Sequence, residues 1–143
     1  MYSDEIFIPF NVPSLKNSKV KTSKGIFMSK TCRNYLTSLN ITSYSASRKE
    51  VIDRKSKKNL FKEAFKDWIV PDKQVVIGFH FVRDSKRMFD FNNANQILAD
   101  LLVAHKLIED DNMDWFIPQA YKKDGKYYSY NKETPGVYIK ILE

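Results

Sequence analysis

The chain has 143 residues, 43% of them hydrophobic and 29% charged, enough for one domain that buries a core without disulfide or metal staples. Its single cysteine, Cys32, excludes an intrachain disulfide and a cysteine-based zinc site. The formal net charge of +7 is uneven: residues 1–89 hold 18 Lys/Arg against 8 Asp/Glu, and residues 90–143 hold 6 against 9.

A basic body joined to an acidic patch suits a protein that holds a polyanion and does metal chemistry on it. It equally suits a soluble domain with ordinary sidedness. The longest apolar runs, such as residues 75–81, are far too short to cross a bilayer, and Gly78 and His80 interrupt that one. The opening "MYSDEIFIPF" has acids where a secretory signal has a basic region, so a cytoplasmic protein away from membranes is expected.

Residues 5–12, "EIFIPFNV", read as a first strand, with Pro9 marking an edge or a bulge. "SLKNSKVKTSKGIFMSK" follows, with five lysines among Ser, Thr and Asn, Gly25 as its turn, and residues 25–29 as a short returning strand. Lysines and hydroxyls both donate to phosphate oxygens, so this stretch is suited to a nucleic-acid backbone. A helix is expected from about Thr31, carrying Tyr35 and Leu39, until "NITSYSAS" interrupts it.

A second helix is predicted over about residues 47–68, with Val51, Leu60, Phe61, Ala64, Phe65 and Trp68 as its apolar stripe. Its charged first half is either a solvated face or a DNA-contacting one. "KQVVIGFHFVR" then reads as a central strand, with Val75, Ile77, Phe79 and Phe81 on one face and Val76, Gly78, His80 and Val82 on the other. His80 has no histidine partner nearby and is expected to be packed rather than catalytic. The basic loop "RDSKRMFD" leads to Asp90.

Residues 93–105 have helical spacing, with Ala94, Ile97, Leu98, Leu101, Leu102 and His105 on one wide apolar face. Beyond "KLIEDD" come "MDWFIPQAY", a hairpin turn at Asp124-Gly125, the aromatic run "KYYSY" and a last strand "GVYIKIL". The expected fold is α+β: a single domain over residues 1–143, with a small mixed or mostly antiparallel sheet packed with two or three helices.

The acids and amides around the 93–105 helix are the candidate site. Asn92 or Asn93 can serve as a plain N-cap. A cap does not account for Asn93, Gln96 and Asp100 recurring at spacings of three and four, nor for Glu109, Asp110, Asp111 and Asp114 clustering after the helix. A dozen helical residues span about 18 Å and the half-dozen after them reach about 20 Å when extended, so Asp90 and Asp111 can meet without being obliged to. Hard divalent ions take one or two carboxylates, waters and substrate phosphates.

"FDFNNANQILADLLVAHKLIEDD", residues 89–111, resembles the signature of the RusA family of Holliday-junction resolvases. That family, common in phages and prophages, carries Asp-x-Asp-Asn at a helix start, a Lys four residues on, Asp-Ala-Leu within the helix and Asp-Asp after it. Asp90, Asn93, Asp100-Leu101-Leu102 and Asp110-Asp111 match, and "FNVPSLKNSK" resembles the family's N-terminal strand and basic loop. The resemblance covers most of the chain.

It implies a homodimeric, Mg²⁺-dependent endonuclease (Mn²⁺ serving in its place) that cleaves branched DNA, four-way junctions foremost, in recombination or phage DNA processing. Asp90, Asp111, Asn92 and Asp110 would be the catalytic set, with Asp90, Asp111 and Asn92 on the metal and Asn93, Gln96 and Asp100 in support. Lys16, Lys19, Lys21, Lys24, Lys30, Arg33, Lys86 and Arg87 would hold DNA. Two departures stand out. Asn92 replaces the second aspartate and cannot be a general base; Gln96 replaces the lysine and carries no charge for the transition-state phosphate. Asp100, Asp110 or Asp114 can substitute for the first, and Lys86 or Lys106 for the second. The same residues also allow a catalytically weak branched-DNA-binding protein, or a protein whose acids merely solvate a helix end.

Overall fold

The computed structural model describes residues 4–14, 19–23 and 25–143. In chain order the elements are β1 (Ile6–Pro9), β2 (Lys19–Thr22), β3 (Gly25–Met28), α1 (Lys30–Ser38), β4 (Ile41–Ser45) and β5 (Glu50–Asp53). They continue with α2 (Leu60–Ala64), β6 (Val75–Arg83), α3 (Phe91–Ala104), β7 (Phe116–Ala120), β8 (Ser129–Tyr130) and β9 (Gly136–Ile141). The architecture is α+β, as expected.

The main sheet runs β1-β9-β6-β7, and β8 continues along the edge of β6 that β7 leaves. β6 is antiparallel to β9 but parallel to β7 and β8. Its two faces divide as the alternation predicts. Ile77, Phe79 and Phe81 join the main core with Leu98, Leu101 and Leu102 of α3. On the other face, Gly78 leaves room for Tyr121: a Cβ there would lie 2.6 Å from the Tyr121 ring. His80 is wholly buried, its Nδ1 2.9 Å from the Tyr121 carbonyl and its Nε2 2.6 Å from Ser129 Oγ. Both ring nitrogens are thus engaged within the fold.

The helix predicted over 47–68 does not form. In its place β4 and β5 make a hairpin, with Tyr44 opposite Val51 and Ser45 opposite Glu50, turning through Lys49 at φ 53°. Only the five residues of α2 are helical. Arg, Lys and Glu in this stretch favour helix locally, but pairing with the β-branched run after Asn40 overrides that weak preference. The first helix ends at Ser38 with Leu39 as its cap; Asn40 follows, its φ of 65° suiting a residue just past a helix and its side chain donating to the Lys58 carbonyl at 2.8 Å.

The hairpin packs over α3, which is buried on more sides than one apolar face allows: Asn95, Ala99, Val103 and Ala104 are also covered. Asp124 and Gly125, at φ 53° and 78°, form the turn read from the sequence, though it closes on a single bridge between Lys123 and Lys126.

Asn59 joins the hairpin, α2 and α3. Its Oδ1 caps α2 by accepting from the Lys62 N–H, while Nδ2 reaches Asp53 Oδ1 at 2.9 Å and His105 Nε2 at 3.0 Å. With Nδ2 donating to both, His105 Nε2 is the acceptor and Nδ1–H donates to the Leu101 carbonyl at 2.7 Å. A second proton on the ring would face the Asn59 amide hydrogens. Burial lowers the His105 pKa below 6.5, against the opposing pull of the Leu101 carbonyl and Asp53.

Between the folded and ordinary values the unfolded chain binds more protons. Stability from this residue is therefore full above pH 6.5 and lost as pH falls through the lowered pKa. The urea midpoint should drop over that window, and His105→Gln should be less stable at neutral pH but lack this drop. An identical pH slope in both proteins would remove His105 as its cause.

Candidate functional site

Asp90 itself is the N-cap of α3, not Asn92 or Asn93. Its Oδ1 accepts from the backbone N–H of Asn92 at 2.8 Å and of Asn93 at 3.2 Å. A carboxylate suits this place because the helix start carries partial positive charge. No donor among the described residues reaches its Oδ2. Ser14, in the segment after β1, grips the Asp90 backbone in both directions: the Asp90 N–H donates to Ser14 Oγ at 3.1 Å, and Ser14 Oγ–H to the Asp90 carbonyl at 3.4 Å.

Two further bonds join the same segments. Arg83 Nη1 donates to the Val12 carbonyl at 2.6 Å, and the Asp84 N–H to Asn11 Oδ1 at 3.1 Å. The strand end "FNVPS" and the loop before Asp90, far apart in sequence, are one local structure. Sequence reasoning marked both segments but not Ser14 or Arg83 as the residues that join them.

Asp110 and Asp111 lie elsewhere. α3 is 14 residues long, about 21 Å, and Asp90 opens it beside the C-terminal end of β6. Past its other end, Asn112 accepts from the Trp115 and Phe116 N–H groups, Gln74 Nε2 donates to the Met113 carbonyl, and Phe116 pairs with Val75. Asp111 is thereby held at the N-terminal end of β6. The chain after α3 does not return to Asp90.

The acids there have local partners. Asp110 Oδ1 accepts from the Asp111 N–H at 2.8 Å and Oδ2 from Asn112 Nδ2 at 3.2 Å, while Glu109 pairs with Lys49 at 3.6 Å. Partial burial, and then the hydrogen bond and charge of Asp110, raise the Asp111 pKa above 3.8. Asp114 is exposed, its N–H donating to Asn112 Oδ1.

Of the amides, Asn92 and Gln96 are exposed and Asn93 is half-buried. Asp100 is half-buried beneath the hairpin, accepting from Tyr44 Oη–H at 3.5 Å. Among the described residues no three His, Cys, Asp or Glu gather as a metal-binding group. Asp90 and Asn92 stand at the start of α3, and Asp111 lies past its end.

The cations fall in two places. Lys30 and Arg33 are exposed on α1 and, with Thr37, Thr42 and Arg54, line a groove of about 480 Å³. Lys86 and Arg87 are exposed in the loop before Asp90. Lys16 and Lys24 lie outside the described residues, and Lys19 and Lys21 fall at backbone positions of β2, opposite Met28 and Ile26. Lys106 is at the far end of α3 from Asp90, so of the two lysines offered for the missing cation only Lys86 is near the helix start.

The sequence reading passed over three exposed tyrosines beside that loop, Tyr127, Tyr128 and Tyr130. Their alternation with lysines in "KYYSYNK" was the available signal. Met88, fully exposed, is in the same loop.

Comparison with protein-family models, with curated proteins and with solved structures finds no match. What the chain shows by itself is an α+β domain with a helix-capping aspartate at the junction of two basic segments. Asp90→Ala should destabilise the fold by about 1 kcal/mol, the usual cost of losing a cap. Asp90→Asn keeps the acceptor and should lose about 0.5 kcal/mol, the part due to charge. Urea denaturation checks both; equal losses would show that the cap hydrogen bonds are not what Asp90 contributes.

Proposed function

We propose that this protein is a homodimeric endonuclease of the RusA type that acts on branched DNA, four-way junctions foremost. The clamp of Ser14 on Asp90 supports the reading most directly. It ties Ser14, just ahead of the N-terminal basic stretch, to the backbone of Asp90, so the chain enters that stretch from beside the candidate carboxylate.

The separation of Asp90 from Asp111 shapes the proposal. The two stand at opposite ends of α3, so a site that uses both carboxylates for Mg²⁺, or Mn²⁺, draws them from two copies. An isologous dimer with its α3 helices antiparallel sets the start of one helix beside the end of the other. Two such sites related by a two-fold axis suit a junction whose strands are related in the same way. A divalent ion, when bound, would supply water activation and charge stabilisation at the phosphodiester.

This chain's own residues would orient and hold. Asp90 keeps one oxygen on the helix cap and offers the other. Asn92 can contribute only a carbonyl oxygen, and Lys86 supplies the positive charge that Gln96 does not. The second reading, a protein that binds junctions without cutting them, is favoured by Asn92 and Gln96.

A mixing experiment tests the assembly. Asp90→Asn and Asp111→Asn should each abolish Mg²⁺-dependent junction cleavage by orders of magnitude while junction binding without metal holds or tightens, since each change removes a negative charge facing DNA. A mixed dimer of the two variants keeps one intact pairing, so combining the inactive proteins should restore nicking. No restoration, with wild type active, would place the site within one chain. Junction binding by wild type without cleavage in Mg²⁺ or Mn²⁺ would establish the second reading.

A further inference from the structure

The tyrosines next to the Asp90 loop form a second surface, distinct from the carboxylates. Tyr127, Tyr128 and Tyr130, with Ser85, Lys86 and Lys126, line a groove of about 520 Å³. The rings are 56%, 52% and 47% exposed, unusual for three aromatics in four residues. A rigid base supports them. Tyr128 meets Phe89 edge-to-face at 5.1 Å, and Phe89 is held by Phe81 at 5.8 Å and by the Arg83 guanidinium at 4.6 Å over its ring. Ser129, between the tyrosines, is fixed to the buried His80, and its strand is paired to β6.

Phe89, the residue before Asp90, thus joins the Tyr128 ring to the start of α3. Two of them carry lysines: Lys86 Nζ is 5.5 Å from the Tyr130 centroid and Lys122 Nζ is 5.2 Å from that of Tyr127. The two segments that build the groove are basic on balance. Residues 83–88 hold three cations against Asp84, and residues 122–132 hold four against Asp124.

We infer that this groove is a stacking platform for unpaired DNA bases, the tyrosine rings taking the base faces and Lys86 and Lys126 the flanking phosphates. This rests on the DNA reading above and specifies which part of a branched substrate the protein engages. Exposed rings interleaved with cations are what a single strand requires: every base offers a π-face, and every nucleotide a charge. The lysines now over the rings have phosphates as better partners when a strand arrives, which uncovers the ring faces. A fully paired duplex offers no free base face and gains only the charge contacts.

The test uses fluorescence anisotropy with three probes at fixed salt: a thymine oligomer, a fully paired duplex and a four-way junction. Tyr127→Ala/Tyr130→Ala should weaken oligomer binding by about ten-fold or more and leave duplex binding unchanged, with no loss of melting temperature because both rings are half exposed. Tyr127→Phe/Tyr130→Phe should restore the affinity, since stacking needs the ring and not the hydroxyl. A 2-aminopurine at an unpaired position beside the branch should be quenched by wild type and not by the alanine variant.

Unchanged oligomer affinity in the alanine variant, or an equal loss on duplex, would overturn the platform while leaving the DNA reading intact. Wild type that binds none of the three probes would overturn both.

Discussion

Strand β6 pairs antiparallel with β9 on one edge and parallel with β7 on the other, and that parallel edge constrains everything around it. A parallel neighbour cannot follow through a tight turn, so the chain must cross back over the sheet, and α3 is that crossing. The helix therefore starts at one end of β6 and finishes at the other. Asp90 and Asp111, which look like one motif in sequence, are held apart by the rise of the helix between them. The order of strands thus sets one acidic group at each end of the helix rather than both at one.

Buried polar groups keep this scaffold in register. His80 lies within the sheet and fastens both the Tyr121 carbonyl and Ser129, so the long excursion between β7 and β9 is tied down at two points. Asn59 does the same on the helical side, joining Asp53, Lys62 and His105 through one amide. Such groups are costly to bury unpaired and stabilise specific geometry when paired. They fix where the loops stand, and with them the exposed residues the loops carry.

Charge is arranged by place rather than by halves of the chain. The cations of α1 and of the Asp90 loop are exposed, while the acids after α3 are engaged in local turns and with Lys49. The acidic cluster is thus partly turn chemistry, as asparagine and aspartate commonly supply. The surface around Asp90 combines a capped carboxylate, exposed lysines and aromatic rings on a firm base.

The sequence by itself determined what short-range periodicity encodes. The alternation of "VVIGFHFV" specified a strand with two distinct faces, the spacing of Ile97, Leu98, Leu101 and Leu102 a helix, and Asp-Gly a turn, because each depends on residues within a few positions of one another. It missed the β4–β5 hairpin, since a charged stretch with helical propensity becomes a strand only when Tyr44 and Ser45 lie opposite it. It marked Asp90 but gave the cap to its neighbours, a matter of one residue in where the helix begins. Only the tertiary structure decided that β7 runs parallel to β6, that Ser14 holds Asp90, that the acids stand at opposite ends of α3 and that three tyrosines share a groove with Lys86. Each of these joins residues distant in sequence, and no local preference records which distant partner a residue will meet.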